Sequence, residues 1–400
     1  MTDIHRLNPV VDRIEPSATI AITNRARELK RAGVDVISLS AGEPDFDTPA
    51  HIIEAAFAGV KAGMTRYTPA DGSLELKEAI AAKLKRENGV DYALEEIAAS
   101  CGGKHTLHNI FAVILAPGDE VIIPAPYWVS YPEQVRLAGG VPRVIEAGAG
   151  DGFRITAEMF EEAIGERTRA LVLNSPSNPT GAVYGRAEIE ALVEVAVRRG
   201  VLVVSDEVYE HILYDGAAQI SPASLSAEAR EHVIVANSVS KTYAMTGWRV
   251  GYAAGPAKIM RAMARLQSHQ SQNPASPSQA AATAALGGGL DCVRPMLAAF
   301  TERRAMTIGA IESMPGLSLA VPRGAFYAFP DATEVLRPAG SRFEGSVGLC
   351  AHLLDEYKVA CVPGEAFGAP TCFRISFATA TDALREALDR IARAIGALRR

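Results

Sequence analysis

A lysine stands just past the point where an apolar strand should end. The run 233–236 leads into Asn237-Ser238-Val239-Ser240-Lys241, followed by Thr246-Gly247-Trp248-Arg249-Val250-Gly251-Tyr252. A hydroxyl thus lies three residues before the amine and a guanidinium eight after it. An amine delivered from a strand end into a cleft loses part of its basicity to desolvation and nearby charge, and becomes a nucleophile. Ser238 can donate a hydrogen bond to a phosphate, and Arg249 can clamp one bidentately. A second anion seat is offered by Gly102-Gly103-Lys104. Backbone N–H groups at a helix start point at negative charge without help from a side chain, although many Gly-Gly starts are only tight turns.

An amine beside a phosphate seat is what pyridoxal 5'-phosphate needs: an aldehyde to condense with and an anion to hold. Asp206 closes the apolar run 201–205, and ligands in open α/β sheets bind just beyond such strand ends. Alone, that carboxylate reads as a helix cap; beside Lys241 it reads as the partner of a pyridine nitrogen. A protonated ring withdraws electrons from a carbanion at the substrate α-carbon. Tyr209 could donate to the ring's 3-oxygen, or be core. The turn 174–181, Asn-Ser-Pro-Ser-Asn-Pro-Thr-Gly, carries two prolines and a glycine and so has few conformations. It is a plain strand-to-helix connection, or a device that fixes Asn178 as a second donor to the same oxygen. Trp128, one of two tryptophans, is core or a stacking platform for an aromatic ring. Arg374 lies in Cys372-Phe373-Arg374-Ile375-Ser376-Phe377. An arginine among apolar neighbours needs an anionic partner, either a structural carboxylate or a substrate α-carboxylate.

The elements that must position these groups alternate. Short β-branched runs at 120–123, 170–173, 201–205, 233–236 and 250–253 are separated by alanine-, leucine- and charge-rich stretches, which predicts an α/β fold with a mainly parallel sheet. Their nearly continuous apolarity fits strands covered on both faces. Helices are predicted at 74–88, with Leu76, Ile80 and Leu84 on one face, at 104–115, and at 187–199 before Gly200. The first forty-odd residues read as an arm plus a helix at 20–32, with no sheet of their own. After Gly287-Gly288-Gly289 a helix is expected at 293–314, then strands near 325–329, 359–362 and 373–377 and a closing helix from 382. The expected division is 1–48, arm and part of a small domain; 49–290, large cofactor domain; and 291–400, small domain.

Four hundred residues at 48% hydrophobic content support a large core and two domains. A net charge of −6 argues against nucleic-acid or membrane-surface partners. No apolar run approaches the ~18–20 residues of a membrane span. The N-terminus lacks the basic-then-apolar pattern of a secretory signal, so a cytoplasmic location is expected. Cys101, Cys292, Cys350, Cys361 and Cys372 show no metal-like spacing and read as free thiols.

Taken together, these residues resemble fold type I pyridoxal-phosphate enzymes, and the chain is similar to class I aminotransferases of the bacterial aspartate aminotransferase subgroup. The resemblance runs from about Pro16 to the C-terminus. It is carried by Ser40-Ala41-Gly42-Glu43-Pro44-Asp45-Phe46-Asp47-Thr48-Pro49, Tyr67-Thr68-Pro69, Pro126-Tyr127-Trp128, the turn 174–181, Ser205-Asp206-Glu207-Val208-Tyr209 and the segment 238–251. It implies a large domain with a mainly parallel seven-stranded sheet between helices, plus a smaller α+β domain. It makes Lys241 the Schiff-base lysine and general base, Asp206 the pyridinium partner, and Asn178 and Tyr209 the 3-oxygen ligands. Gly103, Lys104, Ser238 and Arg249 match the phosphate cup, and Trp128 the stacking residue. Tyr67 matches a tyrosine that reaches the neighbouring subunit's phosphate, implying a homodimer with shared sites. Gly42, Trp128, Asn178 and Arg374 match substrate-holding positions, while Lys104, Ser17 and Thr19 match donors to the distal carboxylate. The implied reaction transfers the amino group of L-aspartate to 2-oxoglutarate through pyridoxamine phosphate. Relatives that also use prephenate resemble one another in a lysine just before the Pro-Ser pair; Glu15 stands there.

Other readings predict different features. Ser238-Val239-Ser240-Lys241 also fits the S-x-x-K pattern of serine acyl-transfer enzymes, but their S-D-N and K-T-G partners are only approximated by Ser205-Asp206-Glu207 and Lys241-Thr242-Tyr243. A nicotinamide enzyme would need a G-x-G-x-x-G after a strand. A non-catalytic relative would be expected to lose Lys241 or Asp206. Nearer alternatives share the cofactor and differ in outcome: β-elimination, or transamination of alanine, aromatic amino acids or prephenate.

Overall fold

The structure, a computed structural model, describes residues 5, 7–337, 343 and 345–398. Twelve strands occur among them: β1 (Ile37–Ser38), β2 (Ile97–Ser100), β3 (Glu120–Ala125), β4 (Val141–Glu146), β5 (Thr168–Asn174), β6 (Leu202–Asp206), β7 (Val233–Ser238), β8 (Gly251–Ala254), β9 (Tyr327–Ala328), β10 (Val359–Ala360), β11 (Val362–Pro363) and β12 (Phe373–Ser376). Seven of them form one sheet in the order β2-β8-β7-β6-β5-β3-β4. The pairs from β7 to β4 are parallel, whereas β8 runs antiparallel to both its neighbours.

Because β5, β6 and β7 are parallel and in register, their carboxyl ends come out side by side: Asn174 opposes Asp206, and Asp206 opposes Ala236. The apolar runs β6 and β7 are buried along their whole length. Two strands escaped the sequence pattern for opposite reasons. No residue of β4 is buried, as befits the last strand of the sheet, and the Ile-Ala-Ala-Ser of β2 has little β-branched content.

The helix predicted at 74–88 divides. Leu74–Lys83 is α-helical and Leu84–Asn88 is a π-turn closed by Gly89 at φ 70°. Leu76, Ile80 and Leu84 do share a buried face. The other predicted helices shift by a residue or two, to Ala18–Arg31, Gly103–Ile114, Arg186–Arg199, Arg294–Glu312 and Thr381–Leu398.

The expectation that the first forty residues contribute no strand is corrected: β1 pairs in parallel with β10. The run predicted at 359–362 also splits between sheets, since β10 joins β1 while β11 joins an antiparallel sheet β11-β12-β9. Arg374 lies in the middle strand of that second sheet and is thereby carried into the interior.

Candidate active site

A cavity of about 270 Å³ opens at the ends of β5, β6 and β7. Asp206 and Lys241 both line it. Asp206 is 6% exposed; Tyr131 Oη–H donates to its Oδ2 at 2.7 Å and the Val208 N–H to its Oδ1 at 3.2 Å. Burial raises its pKa to about 6, against the pull of those hydrogen bonds and of Lys241. Lys241 Nζ donates to the Gly42 carbonyl at 2.6 Å. Burial pushes this amine down to about 8; Glu43 opposes the fall, while Arg374 and Arg249 add to it. An amine so placed is partly neutral near neutral pH, the state a nucleophile or base requires.

One end of the cavity is built for an anion. Gly102, with φ 91°, precedes the helix Gly103–Ile114; a Cβ there would come within 2.4 Å of Arg249 Nη2. At Gly251 a Cβ would lie 2.5 Å from the Gly103 nitrogen. Only glycine lets β8, the Arg249 guanidinium and the helix start converge so closely. Ser238 lines the same end. Arg249 takes a left-handed backbone (φ 57°) and its Nη1 donates to Thr246 O at 2.8 Å. Lys104 Nζ sits 5.1 Å from the Trp128 ring centroid, and burial together with Arg249 lowers its pKa.

At the other end Arg374 is 1% exposed. Its Nη1 donates to Asn178 Oδ1 and its Nη2 to the Ser40 carbonyl, both at 2.8 Å, and Tyr327 and Phe367 flank the guanidinium. The structural carboxylate left open by the sequence is not there: Arg374 makes no ion pair among the described residues, and its buried Nε has no partner. A buried cation held only by neutral acceptors is a seat for an incoming anion. Asn178 is fixed in turn by Asn174, whose Oδ1 accepts from the Asn178 N–H at 2.9 Å. With Oδ1 taken by Arg374, the Asn178 amide nitrogen keeps its donors for a ligand.

Ser17, Thr19, Gly42, Gly103, Lys104, Trp128, Asn178, Asp206, Tyr209, Ser238, Lys241, Arg249 and Arg374, all singled out in sequence, line this one cavity. Tyr67 does not; it is 85% exposed. Glu15 lines a neighbouring cavity that shares Ser17, Lys104 and Arg249 with the first. Two residues were missed. Tyr131 fixes Asp206, and Tyr327 Oη lies 2.8 Å from Tyr209 Oη. Trp128 and Tyr131, on either side of the start of the helix Ser130–Leu137, pack edge to face.

The family profile of class I and II aminotransferases matches residues 34–391. The aspartate aminotransferase of Geobacillus stearothermophilus is 50% identical over 383 residues, covering 96% of this chain and 97% of that one. The aspartate/prephenate aminotransferase of Cereibacter sphaeroides is 46% identical over 389 residues, covering 96% and 97%. Among solved structures, the aspartate aminotransferase of Rhizobium meliloti superposes with a TM-score of 0.94 at 45% identity, covering 98% of this chain and 99% of its own. That of Thermus thermophilus with maleate gives 0.92 at 43% identity, covering 98% and 100%.

Proposed function

The chain belongs to the family of class I and II aminotransferases, and on that premise we propose that it transfers the amino group of L-aspartate to 2-oxoglutarate, with pyridoxal phosphate held at Lys241. The observation that carries this reading is Arg374, which has no ion pair among the described residues, at one end of a cavity whose other end is an anion cup, with a depressed amine and a buried carboxylate between them.

The residues fit the cofactor. The N–H of Gly103 and the side chains of Ser238 and Arg249 would hold the phosphate, with Lys104 adding charge, and Trp128 would cover a ring face. Asp206 would face the ring nitrogen, and Asn178 and Tyr209 the ring oxygen. Bound there, pyridoxal phosphate supplies an aldehyde and an electron sink.

The protein's own part is positional and protonic. Arg374 holds the α-carboxylate of every substrate, with the Asn178–Arg374 hydrogen bond setting the angle of the fork. Lys241 would hold the cofactor through its amine and, as the free amine, would move a proton at the substrate α-carbon. Asp206, fixed by Tyr131, holds negative charge where the ring nitrogen keeps its proton. Burial raises the pKa of the lone carboxyl, and a cationic partner brings it back down. Lys104, Ser17 and Thr19 supply donors for a second carboxylate, which selects a dicarboxylic amino acid. The relative solved with maleate, a four-carbon dicarboxylate, supports that choice. Glu15 beside the shared wall disfavours a bulky second anion such as prephenate.

In this reading residues 49–290 hold the cofactor, while 1–48 and 291–400 supply the arm and Arg374. Tyr67 would serve the partner subunit of a homodimer. Its 85% exposure, with Phe57 63% and Val60 40% exposed on the helix Ala50–Lys61, supports an apolar contact there.

The deciding experiment adds single amino acids to holoenzyme without an acceptor and follows loss of the visible band. Aspartate and glutamate should bleach it fastest; faster bleaching by alanine or an aromatic amino acid would reassign the donor. Borohydride reduction and peptide mapping should place the label on Lys241.

A further inference from the structure

Behind the strand ends lies a buried charged cluster that none of these steps uses. Lys83, at the end of the helix Leu74–Lys83, is 1% exposed, and Glu210 and Glu207 are 5% and 0% exposed. Lys83 Nζ bonds Glu210 and also donates to Asn88 Oδ1 at 2.7 Å. The π-turn Leu84–Asn88 brings Glu87 within 3.6 Å of the same Nζ. It also lets Asn88 Nδ2 donate to Glu210 Oε2 at 2.8 Å and to Glu207 Oε2 at 3.3 Å. Ser205 and Ser221 donate to Glu207 Oε1. His211 lies between Glu87 and Glu210. None of Lys83, Glu87, Asn88, Glu207, Glu210 and His211 lines the cavity.

The cluster grips the chain at three points next to the site. Asn237 Nδ2 donates to Glu210 Oε1 at 2.6 Å, while Asn237 Oδ1 accepts from the Ser238 N–H at 2.7 Å. His211 Nδ1 and Thr242 Oγ1 lie 3.3 Å apart, and Thr242 follows Lys241. Glu207 follows Asp206, and its N–H bonds the Ala236 carbonyl of β7 at 2.9 Å. Burying this many charges is a weak route to stability, since apolar packing of equal volume does as well or better. Hydrogen bonds fix orientation in a way apolar contacts do not.

We propose that this cluster, centred on Lys83 and Glu210, is a positioning network for the reaction, clamping the ends of β6 and β7 so that Asp206 and Lys241 keep their mutual placement. Lys83 is the centre of the clamp. Burial alone would raise Glu210, but the charge and hydrogen bond of Lys83, together with His211 and Asn88, bring it below the usual carboxylate range and keep it ionised as the acceptor for Asn237. Burial and the neighbouring Glu210 raise Glu207 to about 7, while Ser221, Lys83 and Ser205 oppose the rise. Tyr92, Tyr243 and Tyr252 face these carboxylates, and the hydroxyls of Tyr92 and Tyr243 have no hydrogen-bond partner among the described residues.

The inference rests on the proposed role of Lys241, so peptide mapping of the borohydride-reduced holoenzyme comes first; a label on another lysine refutes that role, not the clamp. With the label on Lys241, the holoenzyme of Lys83→Met, Glu210→Gln and the charge-neutral pair Lys83→Met/Glu210→Met is titrated through the pH midpoint of its visible band. kcat and KM are measured alongside. A displaced amine should move the midpoint by about half a unit or more. It should also lower kcat by about 10- to 100-fold, as ångström-scale misplacement does, with KM little changed; Lys83→Arg should restore part of both. Leu192→Ala, a core truncation 1% exposed before substitution, should lose stability without moving the midpoint. Thr242→Val cuts the link to Lys241 while leaving every charge in place, and decides the matter if the cluster variants do not fold. An unchanged midpoint, with kcat within about twofold of wild type, in the folded pair or in Thr242→Val would overturn the proposal.

Discussion

Replacing Lys241 with methionine in the cofactor-free protein should make it more stable while abolishing turnover. The amine falls from an ordinary 10.5 to about 8, chiefly because burial disfavours its charged form. Above about pH 10.5 the side chain is neutral in both the folded and unfolded states and contributes nothing. Between 8 and 10.5 the unfolded chain binds a proton that the folded one does not, so stability falls as pH is lowered through this window. Below about 8 the full penalty is present, up to about 3 kcal/mol. Loss of the charged hydrogen bond to the Gly42 carbonyl offsets roughly half of that, since such bonds contribute about 1.5–3 kcal/mol. Lys241→Met is therefore expected to gain about 1 kcal/mol near pH 7 and to lose the gain as pH rises towards 10. Urea unfolding of both apoproteins at several pH values checks this; only the difference between them matters, so other titrating groups cancel. A difference that does not change with pH would mean that the native fold places no burden on this amine.

Asp206→Ala should lower kcat by about 10³-fold through lost electrostatic stabilisation; a steady-state rate near wild type would remove Asp206 from the ring-nitrogen role. Arg374→Leu should raise KM by about 10²-fold for dicarboxylic and monocarboxylic substrates alike, because the lost bonds are to charged groups. Lys104→Ala should cost about tenfold for aspartate and glutamate and much less for alanine, and equal losses would contradict a distal-carboxylate contact. Glu15→Lys should improve a bulky dicarboxylic oxo acid by about three- to tenfold without changing aspartate turnover, the modest size reflecting screening at an exposed side chain.

Local sequence carried much of this site. The apolar runs that became β5, β6 and β7 end where Asn174, Asp206 and Asn237 begin, and parallel pairing of such runs sets their ends side by side. Gly102-Gly103 announced a helix start because glycine alone tolerates the φ of 91° and the nearby guanidinium. The residues that escaped are those whose partners are distant in the chain. Tyr131 meets Asp206 across 75 residues and Tyr327 meets Tyr209 across 118, and nothing local marks either hydroxyl. Sequence left open whether Arg374 had a structural carboxylate; packing decided it, by surrounding the guanidinium with Asn178, Ser40 and two aromatic rings. The π-turn that gathers Lys83, Glu87 and Asn88 was equally hidden, because the four-residue spacing of Leu76, Ile80 and Leu84 is the same whether or not the last turn widens. Periodicity and turn chemistry report a residue's immediate neighbours, whereas the charge a buried group meets is fixed only when remote segments close around it.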